Sequence, residues 1–336
     1  MNNLQQIQGV TFENTNDYGR GQVVGYHSKP SPIFRNKALP VDVQGLKSED
    51  RRVIKMDGDE AVSKYTIGFE IEKTRLYRGA VQEYPLFCGF ERDSSCGYEA
   101  VTHVLPLLPK SMWRTKVFNM FKEAERIIDD RYSPSDYSCG GHITIAVDGM
   151  TGDELMDKIR PYASILLSVF RKRLTNRYCN GNPQMLPAGA NGINTRTGKY
   201  SVAKNTGFGI EFRIPSRVQS VKQMIRRYEL MYEMVDACVN DVSYASFLRK
   251  VKPILISMYE GDTARVDRLI ELAKHFRKFI LTGKVTAQVV ADLEGWGRTS
   301  ARVGAYRQWY DRNLQRNDEG HRMSERFYIE VMAQIF

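Results

Sequence analysis

The chain contains no run of about 18 apolar residues, so no membrane-spanning helix is expected and no membrane partner is assigned. Residues 1–10 are polar and lack the basic-then-apolar pattern of a secretion signal. Together these two absences set the expectation of a cytoplasmic protein. Cysteine is scarce. The five present, Cys88, Cys96, Cys139, Cys179 and Cys238, are odd in number and irregularly spaced, which argues against a disulfide framework. No CxxC pair exists to anchor a zinc site. Cys139 with His142 three residues later, and Cys88 and Cys96 upstream, are the weak remaining grounds for one. Internal repeats, low-complexity tracts and the signatures of RNA-recognition, helix-turn-helix or zinc-finger modules are also absent.

What is present is the composition of a folded protein. The 336 residues are 42% hydrophobic and 11% aromatic, enough for one large domain with appendages or two modest domains. The net charge of +10 favours polyanionic partners. Its densest runs, Arg171–Lys172–Arg173 and Arg226–Arg227, fall in predicted helices and read as solvated faces.

Residues 1–60 are rich in Asn, Gln, Gly and charge, and are broken by turns such as Ser28–Pro32. They read as an extended N-terminal arm, able to wrap the domain or engage a macromolecular partner. From Tyr65 the pattern sharpens. Tyr65, Ile67, Phe69 and Ile71 alternate with Thr66, Gly68, Glu70 and Glu72, which is the period of a half-buried strand. Further strands are predicted over Tyr84–Glu91, Tyr98–Val104 and Gly140–Val147, with a hairpin made of Lys199–Lys204 and Phe208–Ile214. Helices are predicted from Ser111 to Arg131, from the Thr151–Glu154 capping box to about Asn176 with a kink or break at Pro161, and from the Ser220–Gln223 box to Val239. Residues 180–197 read as a long loop, a lid or a plain connection. After Asn240 the chain reads as helical, with helices near 262–282, 285–294, 298–316 and 320–335. The fold class is therefore α+β: a curved antiparallel sheet with packed helices in a domain over 61–240, and a helical region over 241–336.

Alternation also sorts the chemistry. If the apolar residues of each strand face the core, then Glu70 and Glu72, Glu99, Val101 and His103, His142 and Thr144, and Glu211 and Arg213 face the other way. Four strands thus present carboxylates, histidines and an arginine on non-core faces that one sheet can bring together. Hard oxygen ligands of this kind suit Mg2+, and an adjacent arginine suits a phosphoryl group or carboxylate. For any single strand, a charged face is more often the solvent side.

The combination resembles the amidoligase family, which shares the fold of glutamine synthetase and glutamate–cysteine ligase. Ile67-Gly68-Phe69-Glu70-Ile71-Glu72 is similar to its G-x-E-x-E strand. Asp93-Ser94-Ser95, then Gly97-Tyr98-Glu99-Ala100-Val101, is similar to its Asp-x-Ser segment and following strand. Cys139-Gly140-Gly141-His142-Ile143-Thr144-Ile145 resembles its Cys-Gly-x-His strand. Lys199-Tyr200-Ser201-Val202-Ala203-Lys204-Asn205, then Ile210-Glu211-Phe212-Arg213, resembles its Tyr-Ser-x-x-Asn and Glu-Phe-Arg elements. The likeness covers about half the chain, in order. Two departures stand out: Thr144 where a second His is frequent, and Asn205 one residue late, after Lys204.

The resemblance implies an ATP-dependent carboxylate–amine ligase that forms an amide through an acyl phosphate. Glu70, Glu72, Glu99 and Glu211 would bind magnesium (Mg2+), with Glu70, Glu72 and Arg213 catalytic. His142 would contact ATP phosphate or metal, and Arg213 the phosphoryl group in transfer. Lys199 and Arg177 are further candidate phosphate or substrate contacts, Arg177 being equally suited to capping its helix. The substrates would be a carboxylate and an amine, drawn from amino acids, peptides or polyamines, and a homo-oligomer is compatible with the sequence. A catalytically inactive binding module of the same fold and a basic nucleic-acid-binding protein are the alternatives.

Overall fold

The computed structural model describes residues 63–77, 86–93, 96–102, 105–136, 138–173, 201–206 and 209–282, together with strand segments at 6–7, 10–11, 23–24, 53–56 and 59–62. In the N-terminal arm, β1 (Gln6–Ile7) pairs with β2 (Val10–Thr11), and β4 (Val53–Met56) pairs with β5 (Asp59–Val62). The arm's β3 (Val23–Val24) adds to the edge of the main sheet, parallel to β7 (Phe87–Asp93).

That sheet has eight strands and is otherwise antiparallel. β6 (Tyr65–Lys73) is central. One side of it pairs with β8 (Gly97–Thr102) and β9 (Leu105–Pro106), and the other with β10 (Gly141–Val147). Beyond β10 lie β12 (Ile210–Phe212) and the edge strand β11 (Ala203–Asn205), so the order runs β11-β12-β10-β6-β8-β7-β3.

The alternation does what period two dictates. Ile67, Phe69 and Ile71 from β6, Ile143 and Ile145 from β10, and Ile210 and Phe212 from β12 are all buried on one face. Helices cover that face. The first is α1 (Met112–Glu123), capped by the Ser111 hydroxyl, which accepts the Arg114 N–H. Where one helix is predicted to Arg131, the chain breaks at Ala124 and gives a single further turn, α2 (Glu125–Ile128). α3 (Gly152–Val169) starts at the expected Thr151–Glu154 capping box and runs unbroken through Pro161. It stops short of the expected Asn176, in a 3-10 turn at Arg171–Arg173. α4 (Val221–Val239) has the expected bounds. Its Ser220 hydroxyl accepts the Gln223 N–H, while the Gln223 side chain accepts from Gln219 rather than from the capping residue.

α5 (Tyr244–Met258) and α6 (Thr263–Thr282) form the described C-terminal helical region, and the helices expected near 285–294, 298–316 and 320–335 lie outside the described residues. Phe69 meets Phe121 edge-on, with ring centres 5.9 Å apart. Tyr228 reaches across from α4, donating to the Pro106 carbonyl at 2.6 Å and accepting the Leu108 N–H at 2.8 Å. These contacts lock α1 and α4 to the centre of the sheet. No helix among the described residues is long and apolar enough to cross a membrane.

Candidate metal and ligand site

The opposite face of β6 carries Thr66, Gly68, Glu70 and Glu72. The register decides what stands beside them. Glu70 lies directly opposite His142 on β10, and Glu72 opposite Glu99 on β8. Thr144 lies between Gly68 on one side and Glu211 on the other. Residues far apart in sequence therefore share one patch. It is not a solvent face: Glu70, Glu72, Glu99, His142 and Glu211 are only 2–6% exposed.

His142 sits at the centre. Its Nδ1 is 2.8 Å from Glu70 Oε2 and 3.8 Å from Glu211 Oε1, and its Nε2 is 3.3 Å from Glu72 Oε1. Glu72 also accepts the Gly140 backbone N–H. Arg213 follows β12 and pairs through Nη1 with Glu211 Oε1. Burial weighs against its charge, but Glu211, Glu70 and Glu72 outweigh that and raise the guanidinium above its ordinary range.

One ligand atom each from Glu70, His142 and Glu211 lies within 4.8 Å of the others, a buried group that could hold a metal ion. Glu72 and Glu99 share the face and lie outside this triad. Carboxylates directly opposite one another on adjacent strands repel, more so where water is excluded. A cation relieves that repulsion, and two carboxylates with an imidazole are a suitable donor set.

Gly140 shapes the same spot. A Cβ there would lie 3.0 Å from Glu72 Oε1, 3.1 Å from His142 Nε2 and 3.1 Å from Arg173 Nη2. The missing side chain is what lets these three groups converge. Arg173 is a residue the sequence reading put elsewhere. Instead of a solvated face, it is 7% exposed and donates to the Cys139 carbonyl at 3.0 Å. Arg227, from the other basic run, is buried as well. It donates to the Ser216 and Arg217 carbonyls at 2.6 and 2.8 Å and lies over the Phe170 ring. Burial first, and the Arg173 charge second, press Arg227 below its ordinary range. Helical periodicity could not flag Arg173, because it sits in a 3-10 turn after α3. The polar face thus gathers four carboxyl groups and two guanidinium groups, an acidic excess that a divalent cation matches.

The late Asn205 has a structural consequence. Strands reverse face with every residue, so Lys204 takes the position opposite Glu211, while Asn205 pairs with Ile210. Asn205 serves the start of α3 instead, donating to Asp153 Oδ1 at 2.8 Å. Cys139 is buried against Asp136, with Sγ 3.8 Å from Oδ1, and lies outside the metal triad; burial, then Asp136, pushes its thiol up. Lys199, Arg177 and His103 lie outside the described residues. Comparisons with protein-family models, with curated proteins and with solved structures find no match.

Proposed function

We propose that this protein is an ATP- and Mg2+-dependent carboxylate–amine ligase. The observation that carries the reading is the convergence of Glu70, His142 and Glu211, from three strands, on one buried point with Arg213 beside it. A divalent cation bound there would supply charge neutralisation for nucleotide phosphates. Glu70, His142 and Glu211 would hold it, Glu72 and Glu99 would extend the acidic surround, and Arg213 and Arg173 would steady the anionic groups of substrate and nucleotide. In the first step a substrate carboxylate oxygen attacks the terminal phosphorus and ADP leaves. In the second an amine attacks the acyl carbon, phosphate leaves, and the nitrogen loses a proton. Donors already fixed in a water-poor site need little reorganisation as charge develops.

A thermal-shift titration tests this. Wild-type protein gains stability from ATP only with Mg2+, and Glu70→Gln abolishes the gain. A well-folded wild type that does not bind Mg–ATP would sink the reading. The inactive-module alternative draws on Thr144, the hydroxyl standing between Gly68 and Glu211 where a second imidazole is frequent in the family it resembles. Substrate-dependent ADP release by purified protein rules that alternative out. The nucleic-acid reading loses ground because Arg173 and Arg227, from its two densest basic runs, are turned inward.

A further inference from the structure

Gly68 is a glycine that the fold does not require. It stands inside the central strand, where a glycine weakens pairing through its extra backbone freedom. Other glycines have evident reasons. A Cβ at Gly209 would lie 2.1 Å from the Ile145 carbonyl oxygen, and one at Gly141 2.7 Å from Arg227 Nη1. Gly97, Gly149 and Gly261 adopt φ of +108°, +73° and +92°, in the left-handed region. Gly68 has neither constraint: its φ is outside that region, and a Cβ would meet nothing within 4 Å among the described residues.

The face opens at this position. Gly68 is partly exposed, whereas Thr66 before it and Glu70 after it on the same face are buried. Thr144 lies directly across the strand pair, and Glu70 belongs to the metal triad. The buried Thr66 hydroxyl has no hydrogen-bond partner among the described residues. A buried hydroxyl left this way is costly unless something else satisfies it.

We infer that the space over Gly68 is an oxyanion subsite. A phosphate of the nucleotide, or the carboxylate of the substrate, occupies it, shares the cation held by Glu70, His142 and Glu211, and accepts hydrogen bonds from the Thr66 and Thr144 hydroxyls. The oxyanion fits better than an amine, because hydroxyl donors and a cation site border the space. The inference rests on the ligase reading and adds to it which residue makes room for the ligand.

The test uses full-length wild type, Gly68→Ala and Gly68→Val. Calorimetry measures the binding of Mg2+ alone, then of ADP, inorganic phosphate and glutamate in the presence of Mg2+. All three proteins bind Mg2+ alike, because the triad is untouched. Gly68→Val weakens one oxyanion by about tenfold or more, a difference calorimetry resolves, and Gly68→Ala weakens it less. The weakened probe identifies the source: ADP with phosphate points to the nucleotide, glutamate to the substrate carboxylate. The alanine variant guards against misfolding, since its Cβ has open space. Should both variants fold and melt no lower than wild type, and bind every oxyanion as wild type does, the subsite is wrong and the ligase reading stands. Loss of Mg2+ binding in Gly68→Ala also overturns the subsite, because the residue would then act on the triad. A wild type that binds neither Mg2+ nor ADP removes the ligase reading, and the subsite with it.

Discussion

β6 has two faces, both buried apart from the opening at Gly68, yet they obey different physics. On one, Ile67, Phe69 and Ile71 are at most 2% exposed and packed against helices. On the other, Glu70 and Glu72 are 6% and 5% exposed and touch a histidine rather than water. The first face holds the fold together by removing apolar surface from water. The second works against it, since buried carboxyl groups lose hydration and repel each other. On that face Glu70 lies 2.8 Å from His142 Nδ1, and Glu211 pairs with Arg213, which offset part of the cost. Lys73, at the end of the same strand, shows the contrast within one residue type of chemistry. Its fully buried ammonium donates to the Ile128 and Val218 carbonyls at 2.7 and 2.8 Å and to Asp130 Oδ1 at 2.8 Å, so all three donors are spent on structure.

The contrast breaks most visibly at Phe69. Phe69→Ala removes the ring that meets Phe121 and costs about 3–5 kcal/mol in urea denaturation, with any cation binding by the folded fraction retained. Lys73→Met comes next, at about 3 kcal/mol, because it strands Asp130 and two carbonyls. Lys73 also gives a pH signature. Burial, only partly offset by Asp130, holds its pKa below the ordinary 10.5. Between the lowered value and 10.5 the unfolded chain keeps a proton that the folded chain has released, so this group's contribution to stability rises with pH across that window. It is complete above 10.5 and lost as pH falls through the folded value. Lys73→Met lacks that slope in melts run across the window.

On the polar face, Glu70→Gln should leave the melting temperature without metal unchanged or slightly higher, because it lowers the acidic excess, whereas Glu211→Gln also removes the charged partner of buried Arg213 and should lower it. Each should also abolish the gain predicted for wild type with Mg–ATP, which would be about 2.7 kcal/mol at a hundredfold excess over Kd. The face rule extends to β11. Lys204→Ala should weaken ADP or substrate binding by about tenfold, or about 1.4 kcal/mol, while Asn205→Ala leaves binding unchanged and costs at most about 1 kcal/mol of stability. The smallest effect is at Gly68, where Gly68→Ala should raise stability by about 0.5–1 kcal/mol, measured in the ligand-free protein.

Much of this was legible along the chain. Period-two alternation in Tyr65–Glu72 and Gly140–Val147 located the central strands and sorted their residues onto two faces. Ser and Thr caps followed by Glu or Gln placed the starts of α3 and α4. Glu70, Glu72, Glu99, Glu211 and His142 were legible as one polar face because each occupies an alternate position in a strand, and Arg213 keeps that phase one residue beyond β12. Arg173 was not, because a 3-10 turn has no strand or helical phase to reveal its direction. The break at Ala124 was missed because the apolar helical pattern continues through it into Ile127 and Ile128.

Which residues of each strand lie together follows from the order of residues alone, because backbone geometry turns side chains over at every step whatever the strand pairs with. That Lys204 and Asn205 take opposite faces follows for the same reason. Burial of the polar face, the pairing of Glu70 with His142 and of Thr144 with Glu211, and the burial of Arg173 against the Cys139 carbonyl came instead from how distant segments pack. Those outcomes depend on strand order, register and close approach at Gly140, which are set by contacts between segments distant in the chain.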